Sequence, residues 1–151
     1  MPQSLSGVYL HLVFSTKDRR PYLRDPRLRA EMQAMLGGIS GRLDCPSIQV
    51  GGVEDHVHLL CRFGRTITQS EWVKELKRVS TKWLKAKEPS LSDFGWQNGY
   101  ATFSVSASQR DRVMSYIRDQ EVHHNNSGFQ DELRVLLARY QMAWDERFLW
   151  D

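Results

Sequence analysis

The amino-acid sequence predicts an α+β fold of the split βαβ type, and three observations carry that prediction. Apolar periodicity runs in the order strand, helix, strand, strand, helix, strand, with further helices behind it. The first and third strands, which this topology puts at the centre of the sheet, are the two most apolar. The chain has 151 residues, 40% of them hydrophobic, enough for one buried core, and no Pro/Ser-rich linker divides it. A single domain over residues 1–151 is therefore expected.

Residues 7–15 (GVYLHLVFS) alternate, with Val8, Leu10, Leu12 and Phe14 on one face and Tyr9, His11 and Val13 on the other. Asp25-Pro26 supplies an N-cap and a first-turn proline for a helix. Leu28, Met32, Met35, Leu36 and Ile39 follow at helical spacing, and the glycines at 37, 38 and 41 mark the predicted end. Residues 47–53 and 56–63 read as two strands of a hairpin turning at Glu54-Asp55. Thr68 and Glu71 form a capping box for a helix whose apolar positions Trp72, Leu76, Val79 and Trp83 keep their period until Pro89. Residues 101–106 make a fourth strand, and 109–125 a helix carrying Val113, Tyr116, Ile117 and Gln120. A last helix holds Phe129, Leu133, Leu136, Leu137 and Tyr140, before an aromatic tail with Trp144, Phe148 and Trp150 that should dock on the domain or a partner. The result is a ferredoxin-like antiparallel sheet covered by helices, with a C-terminal helix that forms no separate domain.

Composition narrows the function classes. No apolar run approaches the roughly 18 residues of a membrane span, and no secretory signal is visible, so a cytoplasmic protein is expected. Cys45 and Cys61 are too few for a disulfide framework or a cysteine zinc site and read as small core residues. The formal net charge is +3, but residues 62–88 alone hold eight basic and three acidic residues. That segment carries +5 and leaves −2 for the rest of the chain, a concentration that suits a polyanion partner.

The sharpest local feature is His56-Val57-His58. Strand period two puts His56, His58, Leu60 and Arg62 on one face and the apolar Val57, Leu59, Cys61 and Phe63 on the other. Two imidazoles one repeat apart are close enough to share a divalent ion, though the same pair could simply line a sheet face. Tyr116 and Gln120 stand four apart on a predicted helix and share a side. A tyrosine can act as a nucleophile and a glutamine carbonyl is a hard oxygen ligand, while the plainer alternative is a core aromatic beside a solvated amide.

Taken in order, Glu54-Asp55-His56-Val57-His58, then GWQNGYATFSVS, then YIRDQEVHH resemble the single-tyrosine HUH transposases of the insertion-sequence 200/605 group (IS200-like transposases). The opening VYLHLVFSTKDRRPYL and closing WDERFLWD extend the similarity over nearly the whole chain. The resemblance implies the fold inferred above and a DNA transposase that cuts and rejoins single-stranded DNA. It makes Tyr116 the nucleophile of a 5′-phosphotyrosine intermediate, and His56, His58 and Gln120 the ligands of Mg²⁺ or Mn²⁺. It further implies a homodimer, DNA with hairpins at the element ends, a prokaryotic cytoplasmic setting, and no need for a nucleotide cofactor. Two alternatives stand beside it: a domesticated HUH endonuclease acting on host palindromic repeats, and a non-catalytic ferredoxin-like nucleic-acid-binding module.

Lys74, Lys77, Arg78, Lys82 and Lys85 form a predicted positive stripe opposite Trp72, Leu76 and Trp83, suited either to phosphate contact or to solvent. Arg19 and Arg20, after the first strand, are weaker candidates for the same role. His123 and His124 fall near the face of Gln120, where one of them could support the metal or a phosphate. His11 is expected to be a satisfied core histidine, and Trp96, Tyr100 and Phe103 to pack the loop and sheet rather than stack bases. Residues 125–128 (NNSG) offer a flexible joint that would let the tyrosine helix serve its own or a partner's site.

Overall fold

Strand β1 (Tyr9–Ser15) is buried along its whole length, because helices cover both faces of the sheet that it centres. The computed structural model describes residues 2–123 and 127–151. Strands β2 (Ser47–Gly52), β3 (His56–Arg62) and β4 (Ala101–Val105) join β1 in one antiparallel sheet of order β2-β3-β1-β4. The two most apolar strands are thus the two central ones, in the split βαβ arrangement that the sequence predicts.

One face packs Leu10, Leu12, Phe14, Val57, Leu59 and Cys61 against helices α1 (Pro26–Arg42) and α2 (Gln69–Lys87). Full burial of a side chain of this size stabilises by about 1.5–3 kcal/mol, and here Leu12, Leu59 and Trp72 are all sealed. Both helix starts follow their sequence signals: Asp25 accepts from the Arg27 backbone and Thr68 from that of Glu71. The other face meets α3 (Arg110–Arg118), α4 (Gln120–His123) and α5 (Phe129–Arg139), with Val13, Phe103, Phe129, Leu133, Leu136 and Leu137 in one apolar cluster. A short α6 (Glu146–Leu149) closes the chain. Cys45 and Cys61 are buried and free. Among the described residues no helix is long and apolar enough to cross a membrane.

Three expectations are corrected. The first helix continues through Gly37 and Gly38 and ends at Arg42, one residue past Gly41. Tertiary packing decides this, since Ile39 and Ser40 are buried and the Ser40 hydroxyl donates to the Cys45 carbonyl while accepting from the Trp72 indole. The helix predicted over 109–125 is two helices broken at Asp119, and the break sets Gln120 at the start of α4, where it is buried. Val8 lies outside β1 and is 48% exposed, so it is no part of the core that Leu10 enters. His124 and residues 125 and 126 of the proposed joint lie outside the described residues.

Candidate metal centre and nucleophile

Strand β3 sets His56 and His58 on the face that meets α3 to α5, and both are fully buried. Each ring is held from behind by its Nδ1. His56 Nδ1 lies 2.7 Å from an Asp55 carboxylate oxygen, and His58 Nδ1 lies 2.8 Å from Nε2 of His11 on the neighbouring strand. Burial, reinforced by the neighbouring His58, holds the His11 pKa well below the ordinary imidazole value. His11 Nε2 and His58 Nδ1 share one proton in a hydrogen bond, which braces the His58 ring from behind. Both rings therefore present Nε2 forward, to the same point.

That point is occupied by a residue the sequence reading missed. Glu132 on α5 places Oε1 2.6 Å from His58 Nε2 and 3.4 Å from His56 Nε2. The ligand atoms of His56, His58 and Glu132 all lie within 4.8 Å of one another. Gln120 is also buried: its amide nitrogen donates to the Tyr116 carbonyl at 3.3 Å, while its Oε1 has no hydrogen-bond partner among the described residues. Two imidazole nitrogens with their rear atoms braced and a carboxylate oxygen make a group that could hold a metal ion.

Tyr116 stands beside this cluster on α3. Its ring is edge-on to His58, with centroids 5.7 Å apart, and stacks on His123 at 5.2 Å. Burial, then the charge of Glu132 and a hydrogen bond to it, push the Tyr116 phenol above its ordinary range, opposed by a hydrogen bond from Gln120 and the charge of Arg139. Burial disfavours a charged His56, but hydrogen bonds to Asp55 and Glu132 outweigh it and raise the His56 pKa to about 9. A groove of about 1150 Å³ opens onto the site, lined by Tyr116, Glu132, Arg112, Arg139 and Tyr140.

Of the four residues singled out in sequence, His56, His58 and Tyr116 stand together, and Gln120 is buried one turn after Tyr116. The basic residues stand elsewhere. Lys74, Arg78, Lys82 and Lys85 are exposed on α2, which covers the opposite face of the sheet from the histidines. Lys77 departs from the stripe: it is half-buried and its Nζ donates to the carbonyls of Gln97, Asn98 and Gly99 at 2.7–3.2 Å. Arg19 lies over the Trp150 ring at 5.6 Å, and Arg20 reaches Asp93 at 3.4 Å. Trp96 and Phe103 are packed inside, whereas Tyr100 is 39% exposed beside Lys74, Arg78 and Lys82 in a pocket of about 550 Å³. Of the tail aromatics, Trp150 packs against the α5 cluster and Phe148 stays exposed.

The family described as "Transposase IS200 like" matches residues 4–120. Two solved structures are similar in fold. One is a candidate transposase from Deinococcus radiodurans R1, at 23% identity and a TM-score of 0.61, over 80% of this chain and 95% of that one. The other is a REP-associated tyrosine transposase bound to a REP hairpin, at 13% identity and a TM-score of 0.59, over 82% of this chain and 72% of that one. No curated protein matches the sequence significantly.

Proposed function

This chain belongs to the IS200-like transposase family, and from that premise we propose that it cuts and rejoins single-stranded DNA with Tyr116 as the nucleophile. The observation that carries the proposal is the Tyr116 ring standing edge-on to His58 beside the grouped Nε2 atoms of His56 and His58, with the orphaned Gln120 oxygen one turn along from Tyr116.

His56, His58 and Gln120 would hold Mg²⁺ or Mn²⁺, and its charge would stabilise the negative charge that develops on the scissile phosphate. The Tyr116 oxygen forms a bond to phosphorus and the bond from phosphorus to the 3′-oxygen breaks; the phenolic proton passes to water, and the 3′-oxygen takes a proton from water to leave as a free hydroxyl. The 5′-phosphotyrosine link conserves the phosphodiester's energy, so attack by another 3′-hydroxyl reverses the step and joins a new strand without a nucleotide cofactor. Asp55 and His11 act by orientation, since each fixes the rear nitrogen of a proposed ligand. Excising a segment needs two cuts, and one tyrosine per chain makes one link. A homodimer follows. The hairpin carried by the REP-associated neighbour supports hairpin DNA as the partner here, met in the cytoplasm.

The test uses single-stranded oligonucleotides tiled across the DNA flanking the gene, with Mg²⁺ or Mn²⁺. Wild type should form an SDS-resistant adduct on one strand, lost with chelator, in Tyr116→Phe and in His58→Ala. Strand binding without any adduct would favour the non-catalytic module, and cleavage confined to host palindromic repeats would favour the domesticated endonuclease.

A further inference from the structure

We propose that Glu132 is an additional ligand of the cation assigned to His56 and His58, supplied by a helix beyond the region matched to the family, so that the bound metal fastens α5 to the sheet. The inference rests on the metal reading above and adds a residue to it. The matched region ends at residue 120, whereas Glu132 sits in the first turn of α5, Phe129–Arg139.

The geometry requires little rearrangement. Adjacent donors of an octahedral ion at about 2.1 Å stand about 3 Å apart. Glu132 Oε1 is already 2.6 Å and 3.4 Å from the two imidazole nitrogens. The charge argument is stronger. His56, His58 and Gln120 are fully or nearly fully buried, and as ligands all three are neutral. A dication enclosed by neutral donors alone loses its hydration with no countercharge, which is costly in a medium of low dielectric. Glu132 is the one carboxylate in the cluster whose oxygen faces both Nε2 atoms, since Asp55 is engaged behind His56. Hard cations of this class favour such an oxygen.

The position of Glu132 is also held by the fold. It is 8% exposed, and its helix is seated by Phe129, Leu133, Leu136 and Leu137 in the cluster with Val13 and Phe103. Ligation would therefore couple two events, metal uptake and the docking of α5.

The test measures Mn²⁺ binding to the DNA-free protein by electron paramagnetic resonance, with amide hydrogen exchange as a second readout. Glu132→Gln should weaken Mn²⁺ binding at least tenfold, and Glu132→Asp should fall between it and wild type. Mn²⁺ should slow exchange across 129–139 as well as 56–58 in wild type, and across 56–58 alone in Glu132→Gln. Unchanged or tighter binding by Glu132→Gln would overturn the proposal, because it would make the carboxylate a competitor for the site. His58→Ala separates the two readings: if it keeps wild-type Mn²⁺ affinity, the metal assignment itself fails. Should Glu132→Gln not fold, exchange in wild type decides, and Mn²⁺ protection at 56–58 without protection at 129–139 overturns the role of Glu132.

Discussion

Gly51 on β2 and Ile117 on α3 approach so closely that a β-carbon at residue 51 would run into the Ile117 backbone carbonyl and come within 3.0 Å of its Cγ2 atom. The absence of a side chain at 51 is what lets α3 lie directly on the sheet, and Tyr116 is the residue next to Ile117. Gly51→Ala should therefore destabilise by about 1–3 kcal/mol through overpacking, measured by urea denaturation. It should also move the phenol. At a temperature where both proteins are folded, covalent adduct formation should fall by up to about 10²-fold, the scale expected for a misplacement near 1 Å. An adduct yield that tracks only the folded fraction would show that α3 accommodates the methyl without shifting Tyr116.

The exposed cations of α2 and the buried histidines lie on opposite faces of one sheet. DNA held by Lys74, Lys82 and Lys85 would have to pass around the sheet to reach Tyr116, so binding and cleavage should separate by mutation. Changing these three lysines to glutamine should weaken single-strand binding and lower the salt slope by about 0.7 per lost phosphate contact. Adduct formation at saturating DNA should hold. A parallel loss of cleavage at saturation would place the stripe at the reacting strand instead.

Lys77 should behave differently from its neighbours on the same helix. Burial draws its pKa down to about 8, and its Nζ donates to three loop carbonyls. Lys77→Met orphans those acceptors in a half-buried place, and a loss of about 1–3 kcal/mol is expected in urea denaturation. The salt slope of DNA binding should not change. If the slope falls with stability intact, Lys77 is a phosphate contact after all.

The order of elements and the central strands were legible because period-two and period-3.6 patterns are local, and the two helix caps are local too. The end of α1 was legible to within one residue of Gly41, and packing at Ile39 and Ser40 carries the helix past Gly37 and Gly38. The break at Asp119 was not legible, because no glycine or proline marks it in the sequence. At the site, His56 and His58 announced themselves by spacing on one strand. Glu132 did not, although a signal existed: it lies three residues after Phe129 and one before Leu133, on the apolar face of its helix, where a carboxylate needs a partner. Finding that partner required the tertiary pairing of α5 with β3.

The tail gives a pH-dependent observation with a definite sign. Glu146 takes two hydrogen bonds from Arg134, at 2.8 Å and 3.0 Å, and one from each of the indoles of Trp144 and Trp150. The Arg134 bonds first, then the indoles, hold its pKa down at about 2. A carboxylate depressed in the folded state contributes stability that is present above its unfolded value and lost as pH falls through its folded value. The docked tail should thus be indifferent to pH from neutrality down to about 4.5 and loosen toward about 2. The indole N–H resonances of Trp144 and Trp150 report it directly, and both should titrate with a midpoint near 2. In Glu146→Gln that titration should vanish. The consequence reaches the site through ring contacts, since Trp150 packs on Phe129 at 6.1 Å and Phe129 on His56 at 4.5 Å. Midpoints at the ordinary glutamate value would mean that the tail is undocked in solution and that Phe129 covers His56 without its help.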